Sequence, residues 1–274
     1  MNAVSSKKKI FFHVGTGKTG TTFLQYRAFP KFKGVHYIQR TSYRKAPEII
    51  AATDADTIFI SWEMDQQLDH ETKLFGEQFP DTQPIIVFRR HDSYLASQYR
   101  RFVKNGFKGE VNGFYDLDED SGFFKHSDFH YQSMLDILRK NFSKEPIVLL
   151  YDDLKKDPNK FITYFAETVD ATIDLDTIDF SKKHTSYNEK QLKVIKSMGK
   201  YVNLKKRRVF ENGLFHVLWK IYFGAIRYSI LHGAKLIPNG MISKESLIDP
   251  TYLARIKEHF SDDWEAIKKV AEKI

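Results

Sequence analysis

The stretch Ile10-Phe11-Phe12-His13-Val14-Gly15-Thr16-Gly17-Lys18-Thr19-Gly20-Thr21-Thr22 decides how this chain is read. An apolar run of strand length breaks into a loop of glycines, threonines and one lysine, and Phe23-Leu24-Gln25-Tyr26 then opens a helical pattern. Strand, tight loop and helix start, in that order, gather backbone N–H groups into a nest for a phosphate-like anion. Glycines let the backbone approach the ligand, threonine hydroxyls add donors, and Lys18 with the helix dipole adds positive potential. Gly17-Lys18-Thr19 looks like the end of a nucleoside-triphosphate loop, but that motif carries a glycine five residues before its Gly-Lys pair. Here that position is Phe12, inside the strand. The loop before the lysine is too short to wrap a triphosphate in that way.

Outward from this loop, apolar runs alternate with helical patterns. Residues 57–61, 84–89 and 146–151 read as further buried strands, and helices are expected at about 21–30, 66–78, 93–105, 129–142 and 158–168. This alternation predicts an α/β fold, a three-layer sandwich with a central, mostly parallel β-sheet, whose ligands sit beyond the carboxyl ends of the strands. One domain over 1–274 is expected, with a core at 8–170 and a helical, acceptor-side capping region at 185–274. Residues 106–127, rich in Gly, Phe and Asp, read as a long surface loop.

Composition narrows the classes. Hydrophobic residues make up 42% and aromatic residues 15% of the 274, enough for a sizeable core. The net charge of +8 suits an anionic small molecule, an acidic polymer or a membrane surface, and does not choose among them. The absence of cysteine excludes disulfides, thiol nucleophiles and cysteine-ligated zinc. The apolar run at 10–14 is too short for a signal-peptide core, so a cytoplasmic protein is expected.

A second site candidate follows the strand at 84–89. Arg89 ends that strand, Asp92 or Ser93 is expected to cap the next helix, and Ser97 lies just over one turn inside it, eight residues after Arg89. A guanidinium fork and a serine hydroxyl suit one anion. By itself, a strand-end arginine is more often a surface ion pair.

Taken together, these motifs resemble the sulfotransferases that use 3′-phosphoadenosine 5′-phosphosulfate (PAPS), closest to the bacterial and glycan-modifying members. Lys18-Thr19-Gly20-Thr21-Thr22 matches their first loop, and Arg89 with Ser97 matches their second motif. Val148-Leu149-Leu150-Tyr151-Asp152-Asp153-Leu154, followed by Asp157-Pro158, is similar to their strand ending in Tyr-Glu-Asp-Leu, with Asp152 where Glu is commoner. Near the end, Ile248-Asp249-Pro250 with Leu253, Ile256 and Phe260 is similar to the closing helix of the glycan branch. The resemblance implies a P-loop-like fold and transfer of a sulfuryl group from PAPS to a carbohydrate hydroxyl, leaving 3′,5′-ADP (PAP) and needing no metal. It implies that Gly15, Thr16, Gly17, Lys18, Thr19, Gly20, Thr21 and Thr22 hold the 5′-phosphosulfate, with Lys18 also on the bridging oxygen, and that Arg89 and Ser97 hold the 3′-phosphate. The acceptor is then a glycan, a polysaccharide precursor or a glycolipid.

An acceptor hydroxyl needs a base. Glu63, in Trp62-Glu63-Met64-Asp65 after the strand at 57–61, is the candidate, with a pKa that the neighbouring tryptophan would raise; His36, Glu48 and Asp65 are fallbacks. The plain alternative for Glu63 is a capping or ion-pairing residue. His126 and His130, with Asp128 between them, have helical metal-ligand spacing but read as solvent-facing, and Tyr131 reads as a packing residue. A Walker B role for Asp152 fails with the missing glycine at 12.

Residues 214–238 are rich in aromatic and aliphatic side chains, interrupted by Lys220, Arg227 and Lys235. They read first as a pair of buried helices roofing the acceptor cleft. The second reading is an interfacial helix that, with Lys205-Lys206-Arg207-Arg208, gives peripheral membrane contact through 205–237 on the inner face. Two other function classes stand beside the transferase: an atypical P-loop kinase or nucleotidase using ATP and Mg²⁺, and a non-enzymatic binder of nucleic acid or acidic polymer. The last lacks any interleaved basic and aromatic motif, so no nucleic-acid partner is expected.

Overall fold

The computed structural model describes residues 8–181, 187–204 and 210–274. Five strands, β1 (Lys9–Gly15), β2 (His36–Ile38), β3 (Thr57–Ser61), β4 (Gln83–Phe88) and β5 (Ile147–Leu150), form one sheet in the order β2-β3-β1-β4-β5. Every pairing is parallel, with His13 opposite both Ser61 and Ile85. The short edge strand β2 was not expected; three residues are too few to show a period.

Alternation along the strands divides the core between two faces. Phe12, Val14, Ile58, Ile60, Ile86 and Phe88 point to one face, where helices Leu68–Gln78, Tyr131–Asn141 and Ser261–Val270 cover them. Phe11, Phe59, Ile85, Val87 and Leu149 point to the other, under Leu24, Phe29 and helix Pro158–Thr168. Both faces are apolar because both are covered, as crossover helices require. The sheet and its helices make three layers.

Most expected helices appear with shifted ends. The helix at 158–168 starts and stops where the sequence placed it, because Asp157 caps Lys160 N–H at 3.0 Å and Pro158 stands in the first turn. The helix expected at 93 begins at His91, so Asp92 and Ser93 lie inside it and do not cap it. The segment after the glycine loop is not a regular α-helix: Thr21–Phe23 is followed by a π-type turn, Leu24–Ala28, and a 3₁₀ turn, Phe29–Lys31, holding Pro30.

The chain divides into two compact units. The sheet unit runs up to Arg90 and adds Ser127–Ser181 and Phe260–Ile274, so the last helix returns to the sheet through buried Trp264 and Ile267. The second unit holds His91–His126 and the stretch up to His259. Its helices His91–Lys104, Glu189–Met198, Gly213–Gly233 and Pro250–His259 are joined by side chains such as Lys196, which donates to Tyr99 Oη at 3.0 Å and pairs with Glu110 at 2.6 Å.

Two expectations fail in this unit. The stretch 106–127 is not a surface loop throughout: Val111–Phe114 is helical and Phe114, Tyr115 and Phe124 are buried. Phe114 meets both Phe102 and Phe124 at 5.0 Å between ring centres, and burial of these rings outweighs the turn-forming Gly and Asp around them. Residues 214–238 are not a pair of buried helices. They contain one helix, Gly213–Gly233, begun where Asn212 accepts from Leu214 and Phe215 N–H, and only Arg227 and Leu231 on it are buried. Gly224 does not interrupt it, since glycine in a helix weakens without breaking it, and no proline occurs between 213 and 238. No helix among the described residues is long and apolar enough to cross a membrane. The run Lys205–Arg208, and the boundary expected at 185, lie outside the described residues.

Candidate functional site

The topology places one candidate site at the carboxyl ends of four adjacent strands, β3, β1, β4 and β5. The chain leaves β1 toward β3 and β2, then crosses back to β4 on the other side of β1, so strand order reverses beside β1. The loop 15–20 follows β1, Glu63 follows β3, Arg89 follows β4 and Tyr151 follows β5. Four of the motif residues singled out in the sequence thus come to one edge because parallel strands end together.

The loop is braced before it binds anything. Thr16 N–H and Thr16 Oγ1 both donate to Val87 O, at 3.0 and 3.1 Å, which ties the loop to β4. Thr19 Oγ1 donates to Thr16 O at 2.6 Å and closes the turn. Both hydroxyls, expected as ligand donors, are therefore spent on holding shape, and both threonines are buried. Gly15 (φ +125°) lets the ladder continue past β3: an added Cβ would lie 3.2 Å from Met64 N and O, where Met64 N–H donates to Val14 O. Gly20 (φ +81°) abuts the Tyr151-Asp152-Asp153-Leu154 turn; an added Cβ would lie 2.6 Å from Leu154 Cδ2. That segment, the helix Tyr151–Lys156, is the wall against which the loop closes. Lys18 itself takes a left-handed backbone (φ +66°), which an L-residue adopts at a cost of about 1 kcal/mol and which recurs at functional sites.

Arg89 is held from three sides. Its Nη1 donates to Lys18 O at 3.1 Å, its guanidinium lies 4.8 Å from the Tyr151 ring centre, and its carbonyl accepts from Tyr131 Oη at 2.6 Å. The Tyr131 ring stacks on Phe88 at 4.3 Å, while its N–H, at the helix start, donates to buried Asp263 at 2.9 Å. Tyr131, expected only to pack, is thus a positioning residue for Arg89. Nothing in the sequence linked it to Asp263, 132 residues away. Ser97 lies half-buried in the second turn of helix His91–Lys104, in the other unit.

Two carboxylates face the loop. An added Cβ at Gly17 would lie 3.1 Å from Asp65 Oδ1 and 3.4 Å from Glu63 Oε2. The fallback Asp65 is therefore a neighbour of Glu63 at one place. Arg40 Nη1 pairs with Glu63 Oε1 at 3.5 Å and orients it. Trp62, expected to wall in Glu63, is taken up by a 4.2 Å stack on Tyr43, with Arg44 over its ring. His36 sits at the amino end of β2, away from the strand ends that carry the loop, with Thr53 Oγ1 at 3.3 Å. Glu48 is exposed in the first turn of helix Ala46–Ala52. His130 caps helix Tyr131–Asn141, its Nδ1 accepting from Ser133 N–H, and His126 Nε2 lies 3.0 Å from Asp116 O; both have ordinary structural partners.

Beneath the loop, His13 on β1 is fully buried, with Nδ1 2.8 Å from Ser61 Oγ, which also accepts from Gln25 Nε2 at 2.9 Å. Burial alone pushes the imidazole down to about 3, so it is neutral, and a hydrogen bond from Ser61 to Nδ1 suits that form.

No family model matches this sequence, and no curated protein matches it. Its structure is similar to the crystal structure of a sulfotransferase from Alicyclobacillus acidocaldarius, with a TM-score of 0.50 and 12% identity over 70% of this chain and 92% of that one. At this identity the likeness shows the fold: a sulfotransferase-type α/β sandwich with a central parallel sheet.

Proposed function

We propose that this chain transfers a sulfuryl group from PAPS to a hydroxyl of a carbohydrate, in a glycan, a polysaccharide precursor or a glycolipid. The observation that carries this reading is the single edge where the short lysine loop, Arg89 and Glu63 meet. A loop too short for a triphosphate, braced by Thr16 and Thr19, suits one compact anion held by backbone N–H groups with Lys18. Arg89, on the next strand, is a fixed cation for a second anion, and PAPS carries one phosphate group on either side of its ribose. The assignment of Ser97 to that second phosphate rests on the motif resemblance alone.

Bound PAPS supplies the sulfuryl group, activated by its bond to phosphate. The chain supplies position and charge, the main terms in such transfers. Lys18 stabilises negative charge on the bridging oxygen as the sulfur–oxygen bond breaks. Glu63, oriented by Arg40, takes the proton as the acceptor oxygen bonds to sulfur. Arg89 and the loop keep the donor in line.

The test is a thermal-shift titration with PAP and with ATP, with and without Mg²⁺, followed by incubation with radiolabelled PAPS and a panel of glycans and lipid-linked sugars. A metal-independent shift with PAP and label on a carbohydrate are expected. Stabilisation by ATP with Mg²⁺ but not by PAP overturns the reading in favour of a kinase or nucleotidase.

A further inference from the structure

The outer face of helix Gly213–Gly233 is apolar and exposed. Leu214, Leu218, Ile221 and Tyr228 recur at helical spacing along it, with Leu218 at 53% and Ile221 at 64% exposure. The opposite face is the one that packs, through Arg227, which donates to Leu204 O, and Leu231, whose carbonyl accepts from Gln191 Nε2 at 2.8 Å. A largely apolar helix belongs in a core or against another apolar phase, and among the described residues none covers this face. Leu236 and Met241, just beyond the helix, extend the exposed apolar surface.

The charged side chains of this stretch are all of one sign. Between Glu211 and Glu245 there is no acidic residue, whereas Lys220, Lys235 and Lys244 are exposed. A self-complementary interface with a second copy would bring these cations together with no carboxylate from the same stretch to answer them. An anionic bilayer answers both features: acyl chains take the apolar face and headgroups take the lysines. The helix is not long and apolar enough to span.

We propose that helix Gly213–Gly233 and the residues after it, to Lys244, dock this protein on an anionic lipid surface, the helix lying in the plane of the headgroups. This stands on exposure and charge and does not depend on the chemistry at the glycine loop.

The test is co-sedimentation of the full chain with phosphatidylcholine vesicles, with and without about 30 mol% phosphatidylglycerol, at about 50 mM and about 500 mM salt. Binding to the anionic vesicles that weakens at high salt is expected, with the partition coefficient reduced about tenfold or more in L218D/I221D. K220E/K235E, which leaves the apolar face intact, should lose the preference for phosphatidylglycerol and keep the wild-type melting temperature. Absence of binding to the anionic vesicles at low salt overturns the proposal, as does equal binding by L218D/I221D. So does a concentration-dependent dimer that L218D/I221D disperses without any vesicle binding, which would assign the face to a second copy.

Discussion

The guanidinium of Arg89, one residue beyond β4, donates to the carbonyl oxygen of Lys18 at 3.1 Å. Two motifs 71 residues apart in sequence are thereby one mechanical unit. An arginine assigned to a distal phosphate also fixes the backbone of the lysine assigned to the chemistry.

Replacement of Arg89 by methionine removes this bond, the stacking on Tyr151 and a charge for the ligand. PAP affinity is expected to fall about tenfold or more, and Arg89→Lys to recover only part of it, because an ammonium lacks the planar fork. Isothermal titration with PAP checks this; wild-type affinity in Arg89→Met would remove Arg89 from the site.

Tyr131→Phe keeps the ring on Phe88 and deletes the hydroxyl that donates to Arg89 O. Stability should drop by about 1 kcal/mol, the usual net worth of a hydrogen bond. A positioning role adds a further effect: a raised KM for PAPS with little change in the KM for acceptor. Steady-state kinetics against each substrate separate this from mere loosening of the core.

Gly20→Ala places a Cβ 2.6 Å from Leu154 Cδ2 at a φ of +81°. Leu154→Ala in the same chain relieves the contact and leaves the backbone strain, about 1 kcal/mol. Urea denaturation should therefore show the Gly20→Ala penalty shrinking, but not vanishing, in the Leu154→Ala background. A penalty independent of residue 154 would mean that the loop does not close against that helix.

Glu63→Gln should lower turnover about 100-fold or more while PAP binding survives, the signature of a lost general base. Asp65→Asn is the control, since its carboxylate also faces Gly17. If Asp65→Asn abolishes turnover and Glu63→Gln does not, the roles exchange.

The neutral His13 makes stability depend on pH. Its imidazole titrates near 6.5 when unfolded and about 3 when folded, so the unfolded chain binds the extra proton. The contribution is complete above about pH 6.5 and is lost progressively as pH falls toward 3, by about 1.4 kcal/mol per pH unit. His13→Gln should flatten the stability profile between about pH 6.5 and 4 by close to one proton. An unchanged slope in that variant would show that His13 is not the group responsible.

The sequence by itself determined the layers of the sheet unit and where its ligand edge lies. Four apolar runs of strand length, alternating with helical patterns, leave little but a parallel sheet covered on both faces, and Gly15 to Gly20 mark the break after β1 because only a sharp turn needs that residue pattern. Local signals were enough there, since burial and turn chemistry act over a few residues. Tertiary structure decided what depends on residues far apart. It turned Thr16 and Thr19 from ligand donors into braces, gave Glu63 an arginine instead of a tryptophan, and set Tyr131 between Asp263 and Arg89. It also left the apolar face of Gly213–Gly233 in the open, where composition alone had suggested burial. Hydrophobicity records how much a residue gains by leaving water, and only the packed chain determines whether anything in the same molecule is there to receive it.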